Sequence, residues 1–451
     1  MCHRKIPRKA NSLMIERAYQ FLARWCPGEV KSIIRRSKNI IHSYLSSDIK
    51  KTLKKLYISK NYEGSFESKI KNYIGEKETC ILSNKIIKSY VKIRSKNTYK
   101  INLKEEKILK HLNGVKSNSK GIKEWENMYE ALLLSGLFES CCIVREKMKD
   151  RIYNVLGNGK HNKNFLAKSI AASFEDRLAK INTNIYKRIQ DKKLLSNTAK
   201  RRYEFYNAIV KKNKNKLRDI SETYISSLGL EIKKYARSKS VAIVGPAQSK
   251  KDYSRAIDSH DIVVRFNSLS DRVEDEKKGG ETDIVYYTGA IAEKVARGEL
   301  GYPEDAEWFV VRGGSHVEEL EQRSGIPSRR SIGQFAFFHG VPNMVPLAVF
   351  DLLHFMPSKI SVYGANLYVD TELYSEGYLT SNSSYDPVRL IESFAAHDCL
   401  ANFKFMKNMY ELGYIAPARE LKKVLEMSDQ EYMRALKHIH LERSGEPSTH
   451  A

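Results

Sequence analysis

The feature that most constrains this sequence is a change of character at Ser240. From there on, short apolar runs rich in β-branched residues alternate with helical stretches and with Gly, Pro, Asn and Asp. Such runs, bounded by turn residues, predict buried strands. The runs are Val241–Val244, Ile262–Val264, Ile284–Tyr287, Trp308–Val311 and Ile360–Tyr363. Strands that alternate with helices predict an α/β fold with a parallel sheet, in which ligands bind beyond the carboxyl ends of the strands.

The positive charge of the chain lies before this boundary. Of 78 basic and 53 acidic residues, residues 1–235 hold 53 and 22, and residues 236–451 hold 25 and 31. The formal net charge is therefore +31 in the first part and −6 in the second. A strong field of one sign attracts anionic partners and says little about fold. We expect residues 1–235 to bind an anionic membrane surface. Nucleic acid is disfavoured, because the basic residues are not interleaved with aromatic stacking clusters.

The chain before Ser240 divides into two parts. Residues 1–124 are a basic region of amphipathic helices and of Lys-, Asn- and Ser-rich sequence, either solvated helices or partly disordered. Apolar residues at helical spacing from Trp125 predict a helical domain over residues 125–235, followed by the α/β domain over residues 236–451.

The cysteines and the apolar runs suggest where the protein works. The six cysteines form no C-x-x-C pair and no metal-ligand spacing, so we expect reduced thiols. The sequence shows neither a signal-peptide pattern nor a run of 18 apolar residues. We therefore expect a cytoplasmic protein, peripheral on the inner face of the membrane.

The first chemical motif is a strand that turns at a glycine, in Val241–Ser249. Gly245 lets backbone amides approach an anion closely, and Ser249 offers a hydroxyl or a cap for the next helix. The turn lacks both G-x-G-x-x-G and the P-loop pattern, so it favours neither a dinucleotide nor an NTP. A short distance on, residues 257–267 read Ile-Asp-Ser-His-Asp-Ile-Val-Val-Arg-Phe-Asn.

Together these residues resemble the large sialyl motif of the sialyltransferase family, which binds the CMP part of a CMP-sugar donor. The resemblance implies that Asn267 hydrogen-bonds the nucleotide and that Gly245, Pro246 and Ser249 belong to the same donor site. It also implies a Rossmann-like transferase domain of the GT-A-variant type, with no metal and no cofactor besides the donor substrate.

A second stretch, residues 338–366, resembles the small sialyl motif of the same family. It contains a loop, an apolar helix and a strand that ends in Tyr-Gly. The resemblance implies donor contacts for Asn343, Gly364 and Asn366. Among the loop aromatics that follow, four tyrosines are candidates for a phosphate contact or for simple loop packing: Tyr368, Tyr374, Tyr378 and Tyr385.

A third motif, Glu-Ser-Phe-Ala-Ala-His-Asp at residues 392–398, resembles the short terminal motif whose histidine is the general base. The resemblance assigns that role to His397. An imidazole with a pKa near 6.5 can take a proton from an acceptor hydroxyl at neutral pH. Asp398 follows at what we expect to be a helix start, where a carboxylate is favourable.

The sequence departs from the family pattern at two positions. Val345 stands where a glycine would help to hold the donor, and Asn402 stands where an acid would orient the base. Within the first motif, Arg265 has a structural alternative to donor contact as the ion-pair partner of Asp258 or Asp261.

The sequence thus predicts an inverting glycosyltransferase that moves sialic acid or a related acid sugar such as Kdo from a CMP donor. The acceptor would be a hydroxyl of a surface glycan or glycolipid precursor, as in capsule or lipopolysaccharide biosynthesis. Two alternatives stay open from sequence: a basic nucleic-acid-binding protein and a scaffold protein, each with a degenerate transferase domain.

Overall fold

The computed structural model describes most of the chain between residues 105 and 442. The gaps within this range are 135, 158–162, 178–196, 225–234, 271–274, 314–315, 333–336, 338, 371–373 and 375–386. The amphipathic helices expected before residue 105 therefore lie outside the described residues. No helix in the described ranges is long and apolar enough to cross a membrane.

Seven parallel strands form one sheet within the described residues, in the order β5-β4-β3-β2-β1-β6-β7. The strands are β1 (Ser240–Val244), β2 (Ile262–Phe266), β3 (Ile284–Thr288), β4 (Trp308–Arg312), β5 (Ser328–Arg330), β6 (Lys359–Tyr363) and β7 (Ala416–Pro417). All five apolar runs are strands, and the predicted α/β, Rossmann-like fold with a parallel sheet is confirmed. The sequence did not predict β5 and β7, two short strands at the edges.

The strand order reverses at β1. The chain runs from β1 through β2, β3 and β4 to β5 on one side, and then returns to place β6 and β7 on the other side. The loops that leave β1 and β6 therefore diverge at the carboxyl edge of the sheet. In an open parallel sheet this switch point is where ligands bind.

Helices cover both faces of the sheet. Those that follow β1 are α7 (Ser254–Asp258), α8 (Gly289–Ala296), α9 (Val317–Ser324), α10 (Met344–Leu353), α11 (Pro387–His397), α12 (Cys399–Glu411), α13 (Arg419–Leu425) and α14 (Asp429–Lys437). Because neighbouring side chains of a strand point to opposite faces, Tyr287 packs in the core under α8 and α9 while Tyr286 faces α10. Here Tyr286 donates to Asp351, which also pairs with the buried Arg329.

A helical segment precedes the sheet in sequence and packs against the helices of the α/β segment. It contains α1 (Glu105–Gly114), α2 (Ile122–Leu134), α3 (Phe138–Gly157), α4 (Lys163–Glu175), α5 (Asn197–Val210) and α6 (Lys214–Tyr224). In α5, Phe205 packs on Phe350 of α10 with ring centroids 5.3 Å apart. Tyr414 donates to the carbonyl of Ile209 across 3.0 Å. These contacts join the two segments, whereas the domain boundaries drawn from the sequence stay a prediction.

Candidate functional site

Two glycines meet at the switch point. Gly245 follows β1 and Gly364 follows β6, and a Cβ atom on Gly245 would lie 2.3 Å from the Gly364 carbonyl oxygen. The reverse distance, from a Cβ on Gly364 to the Gly245 oxygen, is 2.5 Å, and Gly364 has a φ of +55°. The Ala247 amide donates to the Gly364 carbonyl across 2.8 Å. Only glycine fits at this approach, which leaves the two backbone turns side by side.

Asn267 directly follows β2, the strand next to β1, and has the left-handed conformation with a φ of +47°. Its amide oxygen accepts from the Thr288 amide across 2.9 Å, which orients the side chain at the carboxyl edge of the sheet. Arg265, two residues earlier, donates to the carbonyls of Lys278, Gly279 and Glu281. Arg265 thus holds the loop that precedes β3.

In the same motif, Asp258 and Asp261 accept from backbone amides. Asp258 takes the amides of Gly280 and Glu281, and Asp261 takes the amide of Ser240 across 2.7 Å. Asp258 thus holds the loop before β3, and Asp261 holds the start of β1.

Pro246 and Ser249 lie in the loop that leaves Gly245. Pro246 is partly exposed, whereas Ser249 is buried and donates to the Lys251 carbonyl across 2.7 Å. The expectation that Ser249 caps the next helix is wrong, because α7 begins at Ser254 with Tyr253 as its N-cap. The hydroxyl instead stabilises its own loop.

The loop before α10 joins the remaining predicted donor residues. Asn343 is the N-cap of α10, and its amide oxygen accepts from Tyr368 across 3.3 Å. Tyr368 is in turn fixed by Asn366, whose side-chain oxygen accepts the Tyr368 amide across 3.0 Å. Val345, where the family has a glycine, is buried in the first turn of α10. Of the other loop tyrosines, Tyr374 is partly buried and Tyr378 and Tyr385 lie outside the described residues.

His397 is the last residue of α11, and its imidazole is half-buried. Its Nδ1 lies 3.2 Å from the carbonyl oxygen of Val341, which can only accept. Nδ1 therefore carries the hydrogen, and the basic lone pair is on Nε2. In this tautomer, Nε2 can accept a proton.

Asn402 connects His397 to the loop of Asn343. Its side-chain nitrogen donates to the His397 carbonyl across 2.6 Å, and its oxygen accepts the Asn343 amide across 2.7 Å. Asn402 therefore does not orient the imidazole as the expected acid would. The Val341 carbonyl orients the ring. Asn402 instead fixes the backbone that carries the base.

Asp398, beside His397, is the N-cap of α12 and is fully buried. It accepts from Tyr129 across 2.8 Å, from Arg145 across 2.6 Å and from Nδ1 of His339 across 3.2 Å. Burial alone would raise the pKa of this carboxyl, but the Arg145 charge and the His339 hydrogen bond outweigh burial and hold the pKa well below its usual range.

Arg312 and His339 are site residues that the sequence analysis missed. Arg312 ends β4 and is half-buried, and it interacts electrostatically with Tyr368 and His397. Burial lowers the pKa of His397, the Arg312 charge lowers it further, and the Val341 hydrogen bond partly offsets both. The sequence does contain a signal for Arg312, since it is a basic residue directly after the apolar run of a predicted strand and therefore lies at the carboxyl edge of the sheet. The side chain of His339 is 15% exposed, and its link to Asp398 crosses 59 residues of sequence.

The site consists of backbone turns and polar side chains. The described residues include no group of three or more His, Cys, Asp or Glu that could hold a metal ion. The three cysteines in the described ranges, Cys141, Cys142 and Cys399, are free and buried. A crevice of backbone turns, amide side chains, one imidazole and one arginine can hold an anionic ligand and move a proton.

Comparison with known proteins gives matches among solved structures alone. No protein-family model and no curated protein matches the chain. Among solved structures, the chain is similar to a mammalian sialyltransferase, with 15% identity and a TM-score of 0.28, over 47% of this chain and 79% of that one. A mammalian sialyltransferase in complex with Gal-beta-1-3GalNAc-ortho-nitrophenol has 16% identity and a TM-score of 0.27, over 53% and 86%.

The close approach at the switch point predicts a specific sensitivity. We expect Gly364→Ala to lower the free energy of unfolding by about 3 kcal/mol, because strain at positive φ adds to a clash with backbone. Gly325→Ala is the matched control, since Gly325 has a φ of +71° but no atom within 4 Å of an added Cβ. It should cost only about 1 kcal/mol. Urea denaturation measures both, and equal losses would contradict the close approach.

Proposed function

We propose that this chain is an inverting glycosyltransferase that moves sialic acid or a related acid sugar such as Kdo from a CMP donor to an acceptor hydroxyl. One observation carries the proposal. Hydrogen bonds connect His397, through Asn402, Asn343 and Tyr368, to Asn366, which lies two residues after the switch-point glycine Gly364. A base in the right tautomer and a crevice suited to an anion thus belong to one site.

In the proposed reaction, Nε2 of His397 takes the proton of the acceptor hydroxyl. The hydroxyl oxygen forms a bond to the anomeric carbon from the face opposite the phosphate, and the bond from that carbon to the phosphate oxygen breaks. CMP leaves with the electron pair as a phosphate monoester. The turns that follow Gly245 and Gly364 would lie beside this charge, and preorganised backbone dipoles can stabilise such an anion.

The donor residues divide into two groups by their surroundings. Gly245, Gly364 and Pro246 present backbone at the crevice, while Asn267 and Asn343 present side chains already oriented by hydrogen bonds. We propose that both groups hold the nucleotide. Arg312 supplies a cation for an acidic group of the donor or of the acceptor.

The acceptor that we propose is a hydroxyl of a surface glycan or its lipid-linked precursor, such as a capsule or lipopolysaccharide intermediate. Such a substrate fits peripheral attachment of the enzyme to the inner face of an anionic membrane. The turn between α5 and α6 and the first turn of α6 support this attachment, because they expose Lys211, Lys212, Lys214 and Lys216. We place the main contribution in residues 1–235, where the charge is +31.

We expect CMP to stabilise the protein against thermal unfolding more than CDP, UDP or GDP. A ligand at 100 times its Kd adds about 2.7 kcal/mol of stability, which a thermal shift detects easily.

With CMP-sialic acid or CMP-Kdo and candidate acceptors, His397→Ala should slow CMP release by about 10²–10⁴-fold, as is typical for a lost general base. The same variant should keep its CMP shift.

His316→Ala is the control, since His316 is the partly exposed N-cap residue of α9. It should release CMP at the wild-type rate. A stronger shift with another nucleotide would exclude the CMP donor, and an unchanged rate in His397→Ala would exclude His397 as the base.

The pH dependence should report the charge of Arg312. Because burial and Arg312 lower the pKa of His397, the wild-type kcat/KM should fall only below the ordinary imidazole value of about 6.5. Arg312→Gln removes the cation, so the pKa rises and the acid limb moves to higher pH. Arg312→Lys keeps the charge and should leave the limb in place. A limb that does not move in Arg312→Gln would show that the two groups are not coupled.

We expect the protein to float with acidic liposomes at low salt. Each basic residue near an anionic surface contributes about 1 kcal/mol, and salt screens the attraction. Replacement by Ala of Lys211, Lys212, Lys214 and Lys216 should lower the bound fraction, whereas replacement of the exposed Lys422 and Lys423 should not. Wild-type protein that stays unbound at low salt would contradict the attachment.

A further inference from the structure

The residue beside the proposed base has an uncommon backbone. Asp398 links α11 to α12 with a φ of +51°, in the left-handed region that residues with a side chain rarely adopt. This conformation ends α11 at His397 and starts α12 one residue later. A strained residue persists only where its surroundings fix it. The geometry of the base therefore depends on whatever fixes Asp398.

The groups that fix Asp398 come largely from the helical segment. Tyr129 of α2 and Arg145 of α3 donate to its two carboxylate oxygens, across sequence separations of 269 and 253 residues. The Arg145 side chain has no exposed surface, and its other face forms two hydrogen bonds with Glu175 of α4, of 3.1 and 2.5 Å. One guanidinium thus connects the helical segment to the turn between α11 and α12.

The turn at Asp398 also determines where the imidazole lies. Gly340 packs flat against it, since a Cβ atom on Gly340 would be 2.6 Å from the Asp398 Cβ. The next residue, Val341, accepts from Nδ1 of His397 and donates its amide to Ala396 across 3.2 Å. A shift of the Asp398 backbone would therefore move both the imidazole and the carbonyl that selects its tautomer.

We propose that Arg145 and Tyr129 are positioning residues for His397, which act through the Asp398 carboxylate to hold the base in its Nδ1–H tautomer. This proposal rests on the proposed function only for its effect on catalysis. The proposal makes the helical segment a part of the active site. A segment that served only as an anchor or scaffold would need no contact with Asp398. Arg145 should matter more than Tyr129, because its loss leaves a buried carboxylate without its cation.

The test compares Arg145→Met with a matched variant on the same helix. Lys149→Met also removes a cation with no exposed side-chain surface, one that pairs with Asp176 and Glu146. Both variants should lower the Tm. Ring nitrogen NMR, with the His397 signals assigned by their loss in His397→Ala, then reports the tautomer without any substrate. We expect Nδ1–H in the wild type and in Lys149→Met, and a mixture of tautomers in Arg145→Met.

Kinetics give a second readout. Arg145→Met should lower kcat by about tenfold or more with little change in the KM of the donor, because a misplaced base affects the transition state and not donor binding. Arg145→Lys, which retains the charge, should recover part of the loss. Lys149→Met should keep kcat within about threefold of the wild type, as expected for a residue outside the site.

Wild-type tautomer and kcat in a folded Arg145→Met would overturn the proposal. If that variant does not fold, Tyr129→Phe replaces it, since it removes one hydrogen bond and keeps the charge pair. An unaltered tautomer in Tyr129→Phe would then overturn the proposal. If the wild type transfers no sugar but the tautomer changes as expected, the proposed function fails and the positioning role stands.

Discussion

The pairing of β1 with β6 is the constraint on which the rest of the site depends. The two strands are parallel neighbours along their whole length, so their chains leave the sheet at the same edge and then diverge. Gly245 and Gly364 let the two turns approach so closely that no side chain fits between them. Hydrogen bonds through Asn402, Asn343 and Tyr368 link His397 to Asn366, close to this edge of the sheet. On the proposed function, the phosphate of the donor would lie beside these turns, whose conformation is already fixed by hydrogen bonds such as that from the Ala247 amide to the Gly364 carbonyl.

Two buried carboxylates hold helices in place, one against the sheet and one at the turn beside His397, and each has the same kind of partners. Asp351 pairs with Arg329 and Tyr286, and Asp398 pairs with Arg145 and Tyr129. A buried ion pair contributes little net stability, because desolvation costs about as much as the attraction returns. Its hydrogen bonds nevertheless demand one geometry. The first pair fixes α10 to the edge strand β5, and the second fixes the turn beside the base.

The sequence predicts the sheet well because its inner strands are buried on both faces. Val241–Val244 and similar runs have to be apolar throughout, so they can be recognised from the local sequence alone. The edge strand Ser328–Arg330 contains two arginines and the edge strand Ala416–Pro417 contains a proline, so neither has a local signature. Both strands pair because the sheet beside them already exists. Their formation is a tertiary effect.

The candidate site likewise contains residues whose positions follow from the local sequence and residues whose geometry depends on distant segments. Gly245 and Asn267 follow apolar runs, and their positions at the carboxyl edge follow from that order alone. Nothing near His397 in sequence shows that the Val341 carbonyl selects its tautomer, or that Arg145 fixes the next residue, because both partners come from distant segments. The alternative that Ser249 caps a helix is wrong because the next helix begins only at Ser254, with Tyr253 as its N-cap.

The charge of Arg312 has a consequence for the basicity of His397. In the free protein the cation lowers the pKa of the imidazole, which keeps the base neutral near pH 7 but also makes it a weaker proton acceptor. On the proposed function, an acidic group of the bound substrate would lie beside Arg312 and offset its charge. The pKa of His397 would then rise towards its ordinary value when the substrate arrives. The base would be strengthened in the complex, where the proton has to be removed.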